Sequence, residues 1–323
     1  MQPTSNEGEM RESQMSLKLI KTFFDELTSL TSVNLKLLKF EEDAKEGMVY
    51  TSQEITLYPS DLMKNLLEDV KKEYTKKAGR LGRYTAVDPY DGSMIGTTIY
   101  SLDCTDPLIK AAYEHMLVSL AKPQTEGRPM DFKANAYLLQ GDWEHEGGVL
   151  PIKLIALMNP FTKLKHKFAY DGKTFKEISE DVLDLRLYMD VVVIGKQVFF
   201  FGLSGEKLFG MERAYQTHVT ELAVEFEKVS FLTNADNLKK TALSGHYPRM
   251  LVAYQASKMK YLDTPVHRRT IAKKFGIDID KKDNFDMGKP DCAAKLIRFL
   301  CNKGMLDPTD EAAMEVAGAK RWV

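Results

Sequence analysis

Cysteine is scarce in this chain of 323 residues: only Cys104, Cys292 and Cys301 occur. Three scattered thiols exclude a disulfide framework, and without a CxxC pair there is no zinc-finger or zinc-ribbon spacing. A reducing compartment follows. Long hydrophobic runs are missing too. No apolar stretch reaches the ~18 residues of a membrane span, and the opening MQPTSNEGEMRESQM lacks the apolar core of a signal peptide. The expectation is a cytoplasmic protein that reaches a membrane only through a partner. Nor is there an excess of charge: 45 Lys and Arg stand against 46 Asp and Glu. Attraction to a polyanion must therefore come from a local concentration of cations.

Signatures of chemistry are equally thin. GLSGEKLFG (Gly202 to Gly210) lies between a strand-like and a helix-like stretch but lacks the GxxxxGK[ST] order of a phosphate loop. His218, His246 and His267 have no acid or thiol at catalytic spacing, and His115 borders the apolar face of its own helix. The acids and histidine of GDWEHEGG (Asp142, Glu144, His145, Glu146) are metal-compatible ligand types, but consecutive residues suit a polar turn between strands better. Asp171-Gly172-Lys173 spells the acid-x-lysine half of a nuclease site, with Asp142 as a distant partner. The same Asp-Gly also reads as a type I′ hairpin turn. No cofactor and no metal is expected, and the chain reads as a non-enzyme, with a metal-dependent nuclease using Asp142, Asp171 and Lys173 as a rival.

What is abundant is apolar patterning, at 44% of the residues, enough for substantial cores. The densest strand-forming stretch is VLDLRLYMDVVVIGKQVFFF (Val182 to Phe201). Within it Val191 to Ile194 and Val198 to Phe201 flank Gly195-Lys196, the pattern of a type II′ hairpin. Both faces of each strand are apolar, so the hairpin belongs in the middle of a sheet covered on two sides. Upstream, residues 1–15 are polar and expected to be disordered. A helix follows, capped by Ser16, with Ile20, Phe23, Phe24 and Leu27 on one face. Strands are expected at Val33 to Phe40 and Met48 to Leu57, then a helix opened by Pro59-Ser60-Asp61 with Leu62, Leu66, Val70 and Tyr74 on one stripe and Gly79 as its C-cap. Asp88 to Gly92 reads as a turn before a strand at Met94 to Leu102, and Asp106-Pro107 opens another helix. PQTEGRP (Pro123 to Pro129) reads as a domain boundary. Beyond it strands give way, from Glu206 onward, to helices. The expected class is α+β, with an N-terminal α/β module (1–125) and a mainly antiparallel sheet followed by helices (126–323).

Two clusters of cations stand out. Lys71, Lys72, Lys76, Lys77, Arg80 and Arg83 run off the end of the first long helix, where cations also complement the helix dipole. Lys258, Lys260, His267, Arg268, Arg269, Lys273 and Lys274 are interrupted only by Asp263, with Tyr254 and Tyr261 close by. Cations with interleaved aromatics suit a nucleic-acid surface, and Thr270 to Phe275 after a proline turn fits a helix-turn-helix. Double-stranded DNA is the expected partner. Tyr215, Val219, Leu222, Phe226 and Val229 step by four and three, the spacing of a coiled-coil seam; packing on the chain's own sheet and a homodimer interface both account for it.

Four stretches carry a family likeness: FAYDGKTFKEI (Phe168 to Ile178), VLDLRLYMDVVVIGKQVFFFG (Val182 to Gly202), LFGMERAY (Leu208 to Tyr215) and AAKLIRFLCNKGMLDP (Ala293 to Pro308). Together they resemble the KwaB family of the Kiwa anti-phage defence system of bacteria. The resemblance implies a cytosolic DNA-binding effector that forms a dimer and is recruited to the inner membrane by an integral membrane partner, KwaA. It supplies no catalytic motif to carry over residue by residue. Blocking phage DNA replication or transcription by occupancy is the implied action; an assembly subunit contacting protein or anionic lipid is the non-DNA alternative.

Overall fold

The computed structural model describes residues 16–59, 61–92, 96–162, 168–170, 172–177, 182–301, 304–306, 313–315 and 320–321. Residues 1–15, Ser60, Met94 and Asp171, on which local expectations fall, lie outside this set. The chain forms two compact units. One comprises the residues up to Pro89 with Gly96–Gly210; the other comprises Tyr90–Ile95 with the residues from Met211 onward.

The first unit is built on one eight-stranded sheet. In chain order its elements are α1 (16–25), β1 (Thr31–Asp43), β2 (Gly47–Ile55), α2 (Asp61–Thr75), β3 (Ala86–Pro89), β4 (Thr98–Asp103), α3 (Lys110–Ala121), β5 (Ala136–His145) and β6 (Gly148–Ala156). There follow β7 (Phe161–Thr162), β8 (Phe168–Tyr170), β9 (Phe175–Glu177), β10 (Val182–Leu183), β11 (Val191–Ile194), β12 (Gln197–Phe200) and α4 (Ser204–Leu208). The strand order is β2-β1-β5-β6-β11-β12-β4-β3, antiparallel throughout except for the β3–β4 pair.

The Val191 to Phe200 hairpin sits inside this sheet as expected. Ile194 pairs with Gln197 across a two-residue loop, and Gly195 has φ +59, which a first-position glycine of a II′ turn supplies without strain. Val191 to Ile194 are all buried because both faces are covered. On one face α1 and α2 bring Ile20, Phe23, Phe24, Leu67, Val70 and Tyr74 against Leu35, Leu37, Tyr137, Leu154, Val192 and Phe199. Phe24 stacks on Tyr74 with ring centroids 3.9 Å apart. On the other face α4 lies so close that a Cβ on Gly205 would meet Phe200 Cδ1 at 2.7 Å and Val191 Cγ2 at 2.8 Å.

The domain boundary expected near residue 126 is not there. Strands from both sides of it pair directly, Leu35 with Leu139 and Leu37 with Tyr137, so the first 125 residues are not a separate module. Proline, glycine and polar residues mark irregular backbone of any kind. Here the segment runs along the β2 edge, with the Gln124 amide donating to Ser52 O at 2.7 Å and Gln53 Nε2 to Gly127 O at 3.0 Å. Three local expectations also need correction. α1 already includes residue 16, so Ser16 is not its cap. Gly79 has φ −75 and begins a 3-10 turn, Arg80–Arg83, instead of closing α2 in the left-handed region. Tyr170 pairs with Phe175, a register that differs from the one a two-residue Asp171-Gly172 turn would set.

The second unit contains α5 (Met211–Glu227), β13 (Leu232–Thr233), α6 (Ala235–Ala242), α7 (Tyr247–Met250), α8 (Ala256–Tyr261), α9 (Pro265–Phe275), β14 (Phe285–Asp286), α10 (Pro290–Leu300) and the short strands β15 (Gly304–Leu306), β16 (Ala313–Glu315) and β17 (Lys320–Arg321). Sheet first and helices after is the α+β order expected from the sequence. Its core gathers Val219, Leu222, Phe226, Leu238, Leu251, Phe285, Leu296 and Leu300. The Tyr90 hydroxyl, from the excursion between β3 and β4, hydrogen-bonds that of Tyr215.

Candidate nucleic-acid interface

The C-terminal cations fall on α8, a three-residue turn (262–264) and α9. The sequence dictates the punctuation. Thr264 is extended, Pro265 takes the first helical turn where its missing N–H costs nothing, and Gly276 at φ +61 closes the helix with its N–H on Ala272 O. α9 buries Arg268, Ile271, Ala272 and Phe275. Its other side exposes Val266, Arg269, Thr270, Lys273 and Lys274.

Arg268 is the largest departure from expectation. Only 6% exposed, it donates through Nε to Asp283 O at 2.7 Å and through Nη1 to Leu262 O at 2.9 Å and Asp263 O at 2.8 Å. Its guanidinium lies 4.9 Å from the Phe231 ring centroid. The side chain pins the α8–α9 turn and cannot also hold a phosphate. Lys258 is likewise committed: half-buried, its Nζ reaches Phe299 O at 2.6 Å, and desolvation lowers its pKa. Tyr254 packs edge-on against Phe226 at 5.8 Å, so it is part of the core and not a stacking platform.

Lys260, Lys273 and Lys274 are exposed and make no ion pair among the described residues. Arg269 meets Asp283 at 3.1 Å as a half-exposed pair, the kind that contributes little and exchanges readily. Tyr261 is exposed and stacks on His267, with centroids 3.8 Å apart and planes at 4°. The acids after Gly276 are drawn into local structure. Asp278 pairs with Lys289 at 2.8 Å, and Asp280 Oδ1 accepts from the Lys282 and Asn284 amides at 2.7 and 2.9 Å. That turn leaves Lys281 and Lys282 exposed, two cations absent from the expected set.

Part of the N-terminal cluster is paired within its own helix and the turn after it. Lys72 pairs with Asp69 at 3.3 Å and Lys76 with Glu73 at 2.8 Å, and Arg80 Nε lies 3.3 Å from the same Glu73. The Lys76 hydrogen bond above all holds the Glu73 carboxyl below the usual carboxylate range. Lys71 Nζ is taken by Asp25 O. Lys77 and Arg83 are exposed. Arg80 lines a cleft with Tyr188 and Asp190, two residues that no sequence signal singled out.

The expected dimer seam is interior. Tyr215, Val219, Leu222 and Phe226 are 0–6% exposed, and Val219, Leu222 and Phe226 belong to the helical core of the second unit. A four-three step marks any helix with one buried stripe, and here the stripe from Val219 onward packs on the helices of its own unit. GDWEHEGG is the β5–β6 hairpin: His145 pairs with Gly148, with Glu146 at φ +49 and Gly147 at φ +78, a type I′ turn. Among the described residues no three His, Cys, Asp or Glu gather where a metal could be held. No described helix is long and apolar enough to cross a membrane. A scan against protein-family models finds no match for this chain, and neither a curated protein nor a solved structure is found to be similar to it.

Proposed function

We propose that this protein binds duplex DNA through the outer face of α9 and acts by occupancy, without chemistry of its own. The observation that carries the reading is the α8–turn–α9 unit, with Arg268 turned inward as a pin and Arg269, Lys273 and Lys274 turned outward beside Val266 and Thr270. A helix held this way can lie in a major groove while its cations meet the flanking phosphates. Lys260, at the end of α8, extends the same charge. The resemblance to the KwaB family supports a role for such binding in anti-phage defence, with a KwaA-type membrane partner and a homodimer whose contact is not the α5 seam.

Four phosphate contacts, from Lys260, Arg269, Lys273 and Lys274, imply that affinity falls about a hundredfold between 50 and 200 mM salt. Fluorescence anisotropy on a labelled duplex measures this. Replacing those four residues by alanine is expected to abolish most of the salt slope, while replacing Lys71, Lys72, Lys76 and Lys77 changes it little. The reverse order refutes the assignment. Incubation with magnesium or manganese is expected to leave the duplex intact; cleavage would favour the nuclease reading.

A further inference from the structure

A small cleft in the first unit, outside the α9 face, is lined by Tyr74, Arg80, Arg83, Tyr84, Tyr188, Met189, Asp190 and Phe201 and opens to solvent. Three guanidiniums converge around it. Arg80 lies 3.9 Å and Arg186 3.6 Å from the centroid of the Tyr188 ring. At those distances two planar groups cannot share a face, so Tyr188 is held between them. Arg83 leans on Tyr84 at 4.8 Å and gives one Nη to its hydroxyl at 2.6 Å.

The acids in this cluster are already occupied. Asp190 Oδ2 accepts from Arg186 Nη2 at 2.5 Å and the Leu157 amide at 2.8 Å, and Oδ1 from Ser204 at 2.5 Å. Glu73 is divided between Lys76 and Arg80. Four cations, Lys76, Arg80, Arg83 and Arg186, thus stand against two carboxylates. The Nη groups of Arg80 donate to nothing among the described residues, and its Nε has no solvent-facing surface and no hydrogen bond of good geometry. The fork is immobilised by stacking, its Nε lies against Glu73 at 3.3 Å, and its Nη groups are unspent. The Tyr188 hydroxyl accepts from Arg186, leaving its own proton for a ligand.

We propose that this cleft is a binding site for a phosphate monoester, with Arg80 and Arg83 gripping the dianion and Tyr188 bracing the Arg80 fork. Arginine suits the role because its planar donors match phosphate oxygens two at a time. The cleft is small and open to solvent, so the phosphate group itself is what the site takes, with the remainder of the ligand outside. A free mononucleotide and the 5′-phosphate end of a nucleic-acid strand both present this group.

The test uses the full chain and three variants: Arg80→Gln with Arg83→Gln, Arg80→Lys, and the α9 variant Arg269→Gln with Lys273→Gln and Lys274→Gln. Thermal shift and calorimetry are run with inorganic phosphate, adenosine monophosphate and adenosine. Single-stranded oligonucleotides with 5′-phosphate or 5′-hydroxyl ends are compared on the α9 variant. Adenosine monophosphate is expected to bind the wild type and the α9 variant alike. Affinity drops about tenfold or more in the Arg80/Arg83 double variant and by less in Arg80→Lys, which keeps charge but loses the fork. Adenosine should not bind. Preference for a 5′-phosphate end over 5′-hydroxyl identifies a strand end as the source; binding of the mononucleotide alone identifies a free metabolite. Three results overturn the proposal: no phosphate-dependent binding at millimolar ligand, equal binding by adenosine, or loss of binding in the α9 variant with retention in the Arg80/Arg83 variant. The last would place the phosphate on α9, while failure of duplex binding on α9 leaves the cleft unaffected.

Discussion

Replacing Arg268 with alanine separates a structural pin from a phosphate ligand. The side chain is 6% exposed and makes three hydrogen bonds to backbone carbonyls of Leu262, Asp263 and Asp283. Hydrogen bonds from a charged donor contribute about 1.5–3 kcal/mol each, and removing the donor strands buried acceptors. Because the three share one guanidinium, the low end applies, and the expected loss is about 4 kcal/mol. For a unit of this size that lowers the midpoint of the second unit's thermal transition by about 15 °C. Arg269→Ala, removing only a half-exposed pair with Asp283, should cost under about 1 kcal/mol. Arg268→Lys keeps the charge but has its donors on a single nitrogen, whereas Arg268 donates from both Nε and Nη1, so it should fall between the two. Urea unfolding followed by circular dichroism, with amide exchange to assign the transition, measures all three. Where Arg268→Lys is still folded, its DNA affinity and salt slope should match the wild type. Equal stability of Arg268→Ala and Arg269→Ala, together with loss of DNA affinity in the first, would refute the pin and restore Arg268 as a phosphate ligand.

Phe226→Ala, in the interior of the second unit, is expected to cost about 3–5 kcal/mol without changing the mass seen by light scattering; a shift from dimer to monomer in a folded variant would return the seam to the surface. Gly205→Ala places a methyl against Phe200 and Val191 and should destabilise the first unit by about 1–3 kcal/mol, read by its thermal midpoint. Lys153, 8% exposed on β6, has its amine pKa lowered chiefly by desolvation, with Cys104 and Asp142 opposing. The unfolded chain therefore binds more protons than the folded one as pH rises from the folded value towards the ordinary lysine value of about 10.4, and stability grows across that window. Lys153→Met is expected to be more stable than wild type at neutral pH and to lack this alkaline increment, as measured by urea midpoints across pH.

The parts of the fold legible in the sequence are those set by neighbours along the chain. Gly195 takes φ +59 between runs of Val, Ile and Phe, and the turn, the two strands and their burial on both faces all follow from twelve consecutive positions or fewer. Pairings between distant strands are different. Asp88 to Gly92 reads as a turn between strands, and β3 and β4 do pair, but in parallel, Ala86 with Thr98, which no tight turn can join. The chain instead leaves for the second unit and returns. The same blindness misplaces the division of the chain. A proline- and glycine-rich stretch has one composition whether it links domains or, as Gln124 does beside Ser52, lies along a sheet edge.

Half of the candidate interface is legible in the sequence, and so is the inward turn of Arg268. Successive residues on a helix point about 100° apart, so an Arg-Arg pair cannot face one way. Ile271, Ala272 and Phe275 define the buried stripe of α9, and stepping back by three, four and seven from them lands on Arg268. The same steps through Val266, Thr270 and Lys273 mark the outer face, with Arg269 beside them. A count of cations along the chain measures charge, whereas binding requires charge that is free to leave its present partner. Applied to the first cluster, that distinction removes Lys72 and Lys76, whose partners lie three residues away at Asp69 and Glu73 and could be read from helical spacing. It leaves Arg80 and Arg83, whose role depends on Tyr188 and Asp190, more than a hundred residues further along and brought alongside only by the sheet. Local spacing can thus discount a cation, but only the folded chain can show where an arginine fork has been fixed and left unspent.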